Sequence, residues 1–256
     1  KLTTHAWIKI IALGVTDGVI NCMTQVGSSK KDMETSMKVQ DGNQFTAAVV
    51  DLDASAEAVE RADLHAPDAA KPPQNVGVAA RQGNDKGAAD YSTVKVDVAS
   101  AQYGDAKKSK TVDTLTINGA NSVIQNIAAQ SNSGGLTGIT NNKAAIINDF
   151  TTYVTARGTD AVNSSLGDAV VKAGTGNTTT AQASSYGGAL GGNIAAAETN
   201  LSLTTDTKTD LSGYWNLSGD FTATAGNNEV LDLVTDTSSA AILDGSGGAI
   251  AATVDE

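Results

Sequence analysis

Hydrophobic and polar residues alternate most cleanly in Thr93-Val-Lys-Val-Asp-Val98, where Val94, Val96 and Val98 fall on one side and Thr93, Lys95 and Asp97 on the other. A period of two is the signature of a half-buried strand. Thr111 to Ile117 repeats it, with Leu115 and Ile117 sharing a face. Nearer the N-terminus, the apolar runs Trp7–Leu13 and Val19–Val26 flank Val15-Thr16-Asp17-Gly18. Asp-Gly between apolar runs predicts a β-hairpin, here over residues 6–26. A second Asp-Gly, Asp41-Gly42, lies between Ser36–Gln40 and Phe45–Leu52 and predicts another. Trp7, Ile8, Ile10, Ile11 and Leu13 place apolar side chains on both faces of the first strand. Both faces then need cover, from the chain itself or from another copy, which marks Trp7 and Ile10 as candidate assembly residues.

Further along, the spacing lengthens. Ser55 precedes Ala-Glu-Ala-Val-Glu-Arg-Ala-Asp-Leu64, a run of good helix formers with acidic residues early, and predicts a short helix ending before Pro67. Val123, Ile124, Ile127 and Ala128 form a stripe after Asn121. Ile146, Ile147, Phe150 and Val154 form a second, and Val162, Leu166, Ala169 and Val170 a third. These spacings predict helices over 121–128, 142–156 and 160–172, the last two packed as a pair, with Gly158 as a left-handed cap.

The three prolines, Pro67, Pro72 and Pro73, lie in the mixed-charge segment 66–89. That segment reads as a long loop or arm extended onto a partner, which makes the prolines assembly candidates too. Gly174–Gly192 is low in complexity, and Leu201–Leu203, Tyr214–Leu217, Phe221–Ala223 and Val230–Val234 are short strand candidates. No repeat of fixed period emerges. The predicted fold is α+β: mainly antiparallel β with N-terminal hairpins, a central pair of short helices and long Gly/Ser/Thr-rich loops or arms. It divides into a β-rich part, 1–110, and an acidic part, 111–256, that form one interdependent unit.

Composition sharpens this in two places. Aromatic residues make up only 4% of the 256, so the core must be built of Ala, Val, Ile and Leu. The formal charge of −11 is unevenly spread: 14 acidic and 13 basic residues over 1–110, but 14 acidic and 4 basic over 111–256. The second half would repel a phosphate backbone, which argues against direct nucleic-acid binding there. Asp outnumbers Glu by 22 to 6, as suits a turn-rich chain. The single Cys22 excludes an intrachain disulfide and any CxxC motif, and no run of 18 apolar residues could form a membrane span.

Candidate chemistry is sparse. The two histidines, His5 and His65, have no G-x-S-x-G elbow or H-E-x-x-H helix beside them. Gly174-Thr-Gly176 and Gly187–Gly192 do not complete a phosphate cradle, so no cofactor is expected. Glu57 and Glu60 read as a solvated pair. The carboxylates Asp51 and Asp53, Asp206 and Asp210, and Asp232 and Asp236 offer oxygen ligands suited to calcium, although none fits the twelve-residue loop pattern. Four N-x-[ST] sequons, at Asn163, Asn177, Asn200 and Asn216, match the number expected by chance. These readings favour a structural subunit, not an enzyme, whose partners are copies of itself in a virion coat or tail tube. An extracellular filament, pilus or adhesive surface-layer subunit is the alternative, and an enzyme with a dispersed carboxylate site the third. The location that follows is a virion or the extracellular surface.

Overall fold

Val, Ile and Thr recur throughout the chain, and their branched side chains fit a pleated sheet better than a helix. A computed structural model describes residues 2–9, 11–15, 19–27, 32–65, 76–82, 89–159 and 163–255. Nearly all of them are strand. They fall into five successive coils. The first holds β1 (Leu2–Lys9), β2 (Ile11–Val15), β3 (Val19–Gly27), β4 (Asp32–Val39) and β5 (Gln44–Phe45). The second holds β6 (Val49–His65), β7 (Val76–Gln82), β8 (Ala89–Val98) and β9 (Gln102–Tyr103). The third is β10 (Val112–Arg157), the fourth β11 (Leu166–Ser212), and the fifth β12 (Phe221–Ala240) with β13 (Leu243–Asp255).

Strands of neighbouring coils pair parallel and in register. Asp32 stands beside Tyr91, 59 residues on. Leu115 stands beside Ala169, 54 residues on. Gly192 stands beside Leu243, 51 residues on. The order is exchanged locally where β2 and β3 lie directly on β10, with β7 outside β3.

Each long strand is folded back on itself. Val123 and Phe150, both in β10, pack in one cluster with Leu203. Asn148 Nδ2 donates to Gln125 Oε1 at 2.6 Å. A straight strand would hold Val123 and Phe150 about 90 Å apart at ~3.3 Å per residue. The fold-back point coincides with the register shift between Gly135 and Thr137. A coil is thus a flattened loop whose two arms, Val112–Gly135 and Thr137–Arg157 in the third, face each other across a shared interior. Stacking the coils makes a nearly closed, two-walled parallel sheet.

The segments 99–111 and 213–220, with residues 158–159 and 163–165, lie at the base between successive coils. Gly104 turns there with φ +72°, and a Cβ would collide with the carbonyl oxygens of Ser165 and Lys110. Tyr103 stacks on Phe45 at a centroid distance of 5.8 Å.

The interior is apolar near the base, where Val94, Val96, Leu115, Ile117, Val154 and Val171 pack together. Farther along the arms it becomes polar and hydrogen-bonded. Ser92 Oγ donates to Asn121 Oδ1 at 2.7 Å. Thr152 Oγ1 meets Thr175 Oγ1 at 2.8 Å, and Thr175 Oγ1 meets Thr207 Oγ1 at 2.7 Å. Thr207 Oγ1 in turn donates to Asn227 Oδ1. This spine of hydroxyls and amides climbs from the third coil to the fifth. Burial leaves such groups costly unless partnered, and neighbouring coils supply the partners.

The fold overturns the α+β, mainly antiparallel expectation. The helices predicted over 55–64, 121–128 and 142–156 are strand, in β6 and β10, and most of 160–172 is β11. Helix among the described residues is limited to the 3-10 turn Ala106–Lys108. Gly158 is not left-handed; among the described residues the glycines with positive φ are Gly42, Gly104 and Gly213. Neither predicted hairpin forms: β2 and β3 pair with β10, and β4 pairs with β8. Thr16, Asp17 and Gly18 lie outside the described residues. The low-complexity run Gly174–Gly192 is continuous strand within β11. Segment 66–89 contains β7, and its prolines lie outside the described residues. The strand at 93–98 is present in β8, with Val94, Val96 and Val98 buried, and Leu115 and Ile117 are buried in β10. The 110/111 division falls between the second and third coils, and the β8–β10 ladder crosses it.

Candidate functional site

In the third coil the outward faces of the two arms differ in chemistry. On the first arm the outward residues of the third coil, Thr114 through Gln130 at every second position, carry no charge. On the second arm, charges are laid across the rows. Lys38 pairs with Asp97 at 3.6 Å, and Lys143 with Glu198 at 3.3 Å. Lys208 pairs with Asp210 at 3.4 Å along one strand.

A depression of about 280 Å³ opens on this charged face, lined by Tyr153, Val154, Thr155, Lys208 and Asp210. Register places Tyr153 beside both Lys95 and Lys208. The Tyr153 hydroxyl donates to Asp206 Oδ2. That hydrogen bond holds the Tyr153 phenol above its ordinary pKa, so it remains a proton donor. Tyr186 is held the same way by Asp236, at 2.6 Å. Glu198 is held below the usual carboxylate range, first by the Asn200 amide at 2.6 Å and then by Lys143. The hydroxyl protons of Tyr153 and Tyr186 and the charges of Lys143, Glu198, Lys208 and Asp210 are thus taken up within the surface itself.

The predicted calcium ligands are not gathered into one site. Asp51 and Asp53 point outward on β6, and Asp53 accepts from Asn118 Nδ2 at 2.5 Å. Asp206 and Asp236 are occupied by tyrosine hydroxyls, and Asp210 by Lys208. Asp232 is exposed on β12. Four residues along a strand separate Asp206 from Asp210, and Asp232 from Asp236, by about 13 Å. Among the described residues no three His, Cys, Asp or Glu side chains could share an ion.

Of the assembly candidates, the Trp7 backbone sits in β1 beside Arg61, while Ile10, Pro67, Pro72 and Pro73 lie outside the described residues. Among the sequons, Asn177 points into the interior and is 1% exposed, so it cannot accept a glycan in the folded chain. No helix among the described residues is long and apolar enough to cross a membrane.

Sequence reasoning did not find Tyr153, Lys208 or Tyr186. The hydrogen-bond partners of Tyr153 and Tyr186 lie 53 and 50 residues away, and Lys208 reaches Tyr153 only through the stacking register. No known family, curated protein or solved structure matches the chain.

Proposed function

We propose that the chain is a self-assembling structural subunit of a filament or fibre, carried on a virion or outside the cell. The observation that supports this reading is the uniformity of the coil stack. One flattened cross-section recurs through the coils with rows in register, and such quasi-one-dimensional stacks grow by adding units to an end. A stack of this kind extends in one direction, which favours a filament or tail-type fibre over a closed shell. The half-exposed tyrosines and paired charges on its outer faces suit a packing surface.

Electron microscopy with fibre diffraction on purified protein tests the reading. Arms of 21 to 24 residues give a ribbon about 70–80 Å wide, with a repeat of about 4.8 Å along the axis. Five coils make each copy about 24 Å tall on that spacing. Particles that remain single-copy slabs at high protein concentration overturn the proposal.

A further inference from the structure

Among the described residues, strands at both ends of the stack leave one edge without a ladder partner. β12 and β13 pair only with β11, so one side of each carries backbone N–H and C=O groups with no ladder partner. The inward side chains of this fifth coil also lack a cover. Phe221 is 39% exposed and Val254 42%, whereas Ala169 and Leu203, their neighbours on the same rows, are fully buried. Long exposed edges of this kind template pairing with another chain, and solenoids that stay single end in a cap. Among the described residues no cap covers the fifth coil.

At the other end β1 and β4 each pair on one side, with β6 and β8, and β7 lies outermost beyond β3. The outer strands of the two ends carry net charges of opposite sign, −5 against +1. β12 and β13 contain Glu229, Asp232, Asp236, Asp244 and Asp255 and no basic residue. β1, β4 and β7 contain Lys9, Lys38 and Arg81 against Asp32 and Glu34.

We infer that the fifth coil of one copy stacks on the N-terminal coils of the next, head to tail, continuing the parallel ladder across the junction. The occupant of the open end is a second copy of this chain. The inference rests on the filament reading above and specifies its contact.

The register predicts which residues meet. One row runs through the whole stack as Ser246, Ala195, Thr140, Cys22 and Val78. Head-to-tail addition sets Ser246 of one copy beside Val78 of the next at the inter-strand spacing of about 4.8 Å, within reach of a disulfide. Within one copy these positions are four strand spacings apart, about 19 Å, too far to bridge.

The test uses the full chain carrying Cys22→Ser, Ser246→Cys and Val78→Cys, assembled and then oxidised. A control carries Cys22→Ser, Ala251→Cys and Val78→Cys, with the first cysteine five residues off the row. The expected result is a ladder of covalent multimers from the first variant, at least tenfold more than from the control. A third variant, Ile250→Lys with Val254→Lys, should keep its strand circular dichroism and remain single. Filaments that form without row-specific cross-links, or that still form from the lysine variant, overturn the head-to-tail contact and leave the filament reading standing. Absence of any assembly by the wild-type chain overturns both.

Discussion

Leu203 in the fourth coil and Val254 in the fifth stand side by side on one row and point the same way, yet one is fully buried and the other 42% exposed. The difference teaches that burial in this fold is not a property of a residue or its strand. The next coil delivers it, so stability accrues through nearest-neighbour terms along the stack.

The sharpest way to probe that comparison is truncation on both coils. Leu203→Ala should cost about 3 kcal/mol, as expected for a buried leucine whose cavity does not collapse. Val254→Ala should cost under about 1 kcal/mol in the single copy, because its side chain is still partly in water. Urea unfolding of the two variants compares them directly; equal losses would show that the fifth coil is already covered.

The hydroxyl spine gives a smaller effect. Thr175→Val keeps the shape but removes the oxygen shared by Thr152 and Thr207, and should cost about 1–3 kcal/mol by leaving Thr152 without that partner. The matching change on the fifth coil, Thr235→Val, should cost less. Its hydroxyl bonds Thr199 at 3.1 Å at the open end of the stack, where water can replace it. The same urea titrations rank the two.

At the base, burial pushes the Tyr103 phenol up to about 12, and its hydroxyl has no hydrogen-bond partner among the described residues. A folded-state pKa above the ordinary 10.0 means stability that is present below pH 10 and lost as pH rises toward 12. Tyr103→Phe should remove that alkaline slope at little cost near pH 7, as measured by thermal melts across pH.

The smallest effect belongs to the half-exposed outer pair Lys143 and Glu198. With its pKa depressed, Glu198 contributes stability above the ordinary glutamate range, lost as pH falls through the lowered value. Lys143→Gln should shift stability by no more than about 1 kcal/mol at neutral pH, and the difference should vanish in acid. Melting curves at both pH extremes check this.

Parts of this architecture were legible in the sequence where period two stood alone, as at Val94, Val96 and Val98. The central helices were misread for a physical reason. Ile146, Phe150 and Val154 are spaced by four, a spacing that a helical stripe and one face of a strand share. The residues between them on that face, Asn148 and Thr152, are polar, so the strand period was hidden. They can be inward because Gln125 and Thr175 supply their hydrogen bonds from the facing arm and the next coil. Ile124 misled in the opposite sense, being apolar and 43% exposed on the outer face.

The repeat escaped notice because its length drifts from 59 to 51 residues and its rows hold a class of side chain rather than an identity. Ser246, Ala195, Thr140, Cys22 and Val78 share a row without sharing a residue type. The depression at Tyr153 was illegible for the same reason, since only the register brings Lys208 to it.

The register spacing also governs how such a chain can fold. Successive coils pair residues more than fifty positions apart, so no tight turn can seed the ladder between them. The first closed loop must form against the full entropy of a long ring before any ladder bond compensates. Once two coils are in place, each later one meets a ready template and adds row by row. Folding should then resemble a zipper with a slow start and fast propagation. A chain delivered gradually from one end would pass through that start once, with fewer competing registers than a whole chain released at once from denaturant.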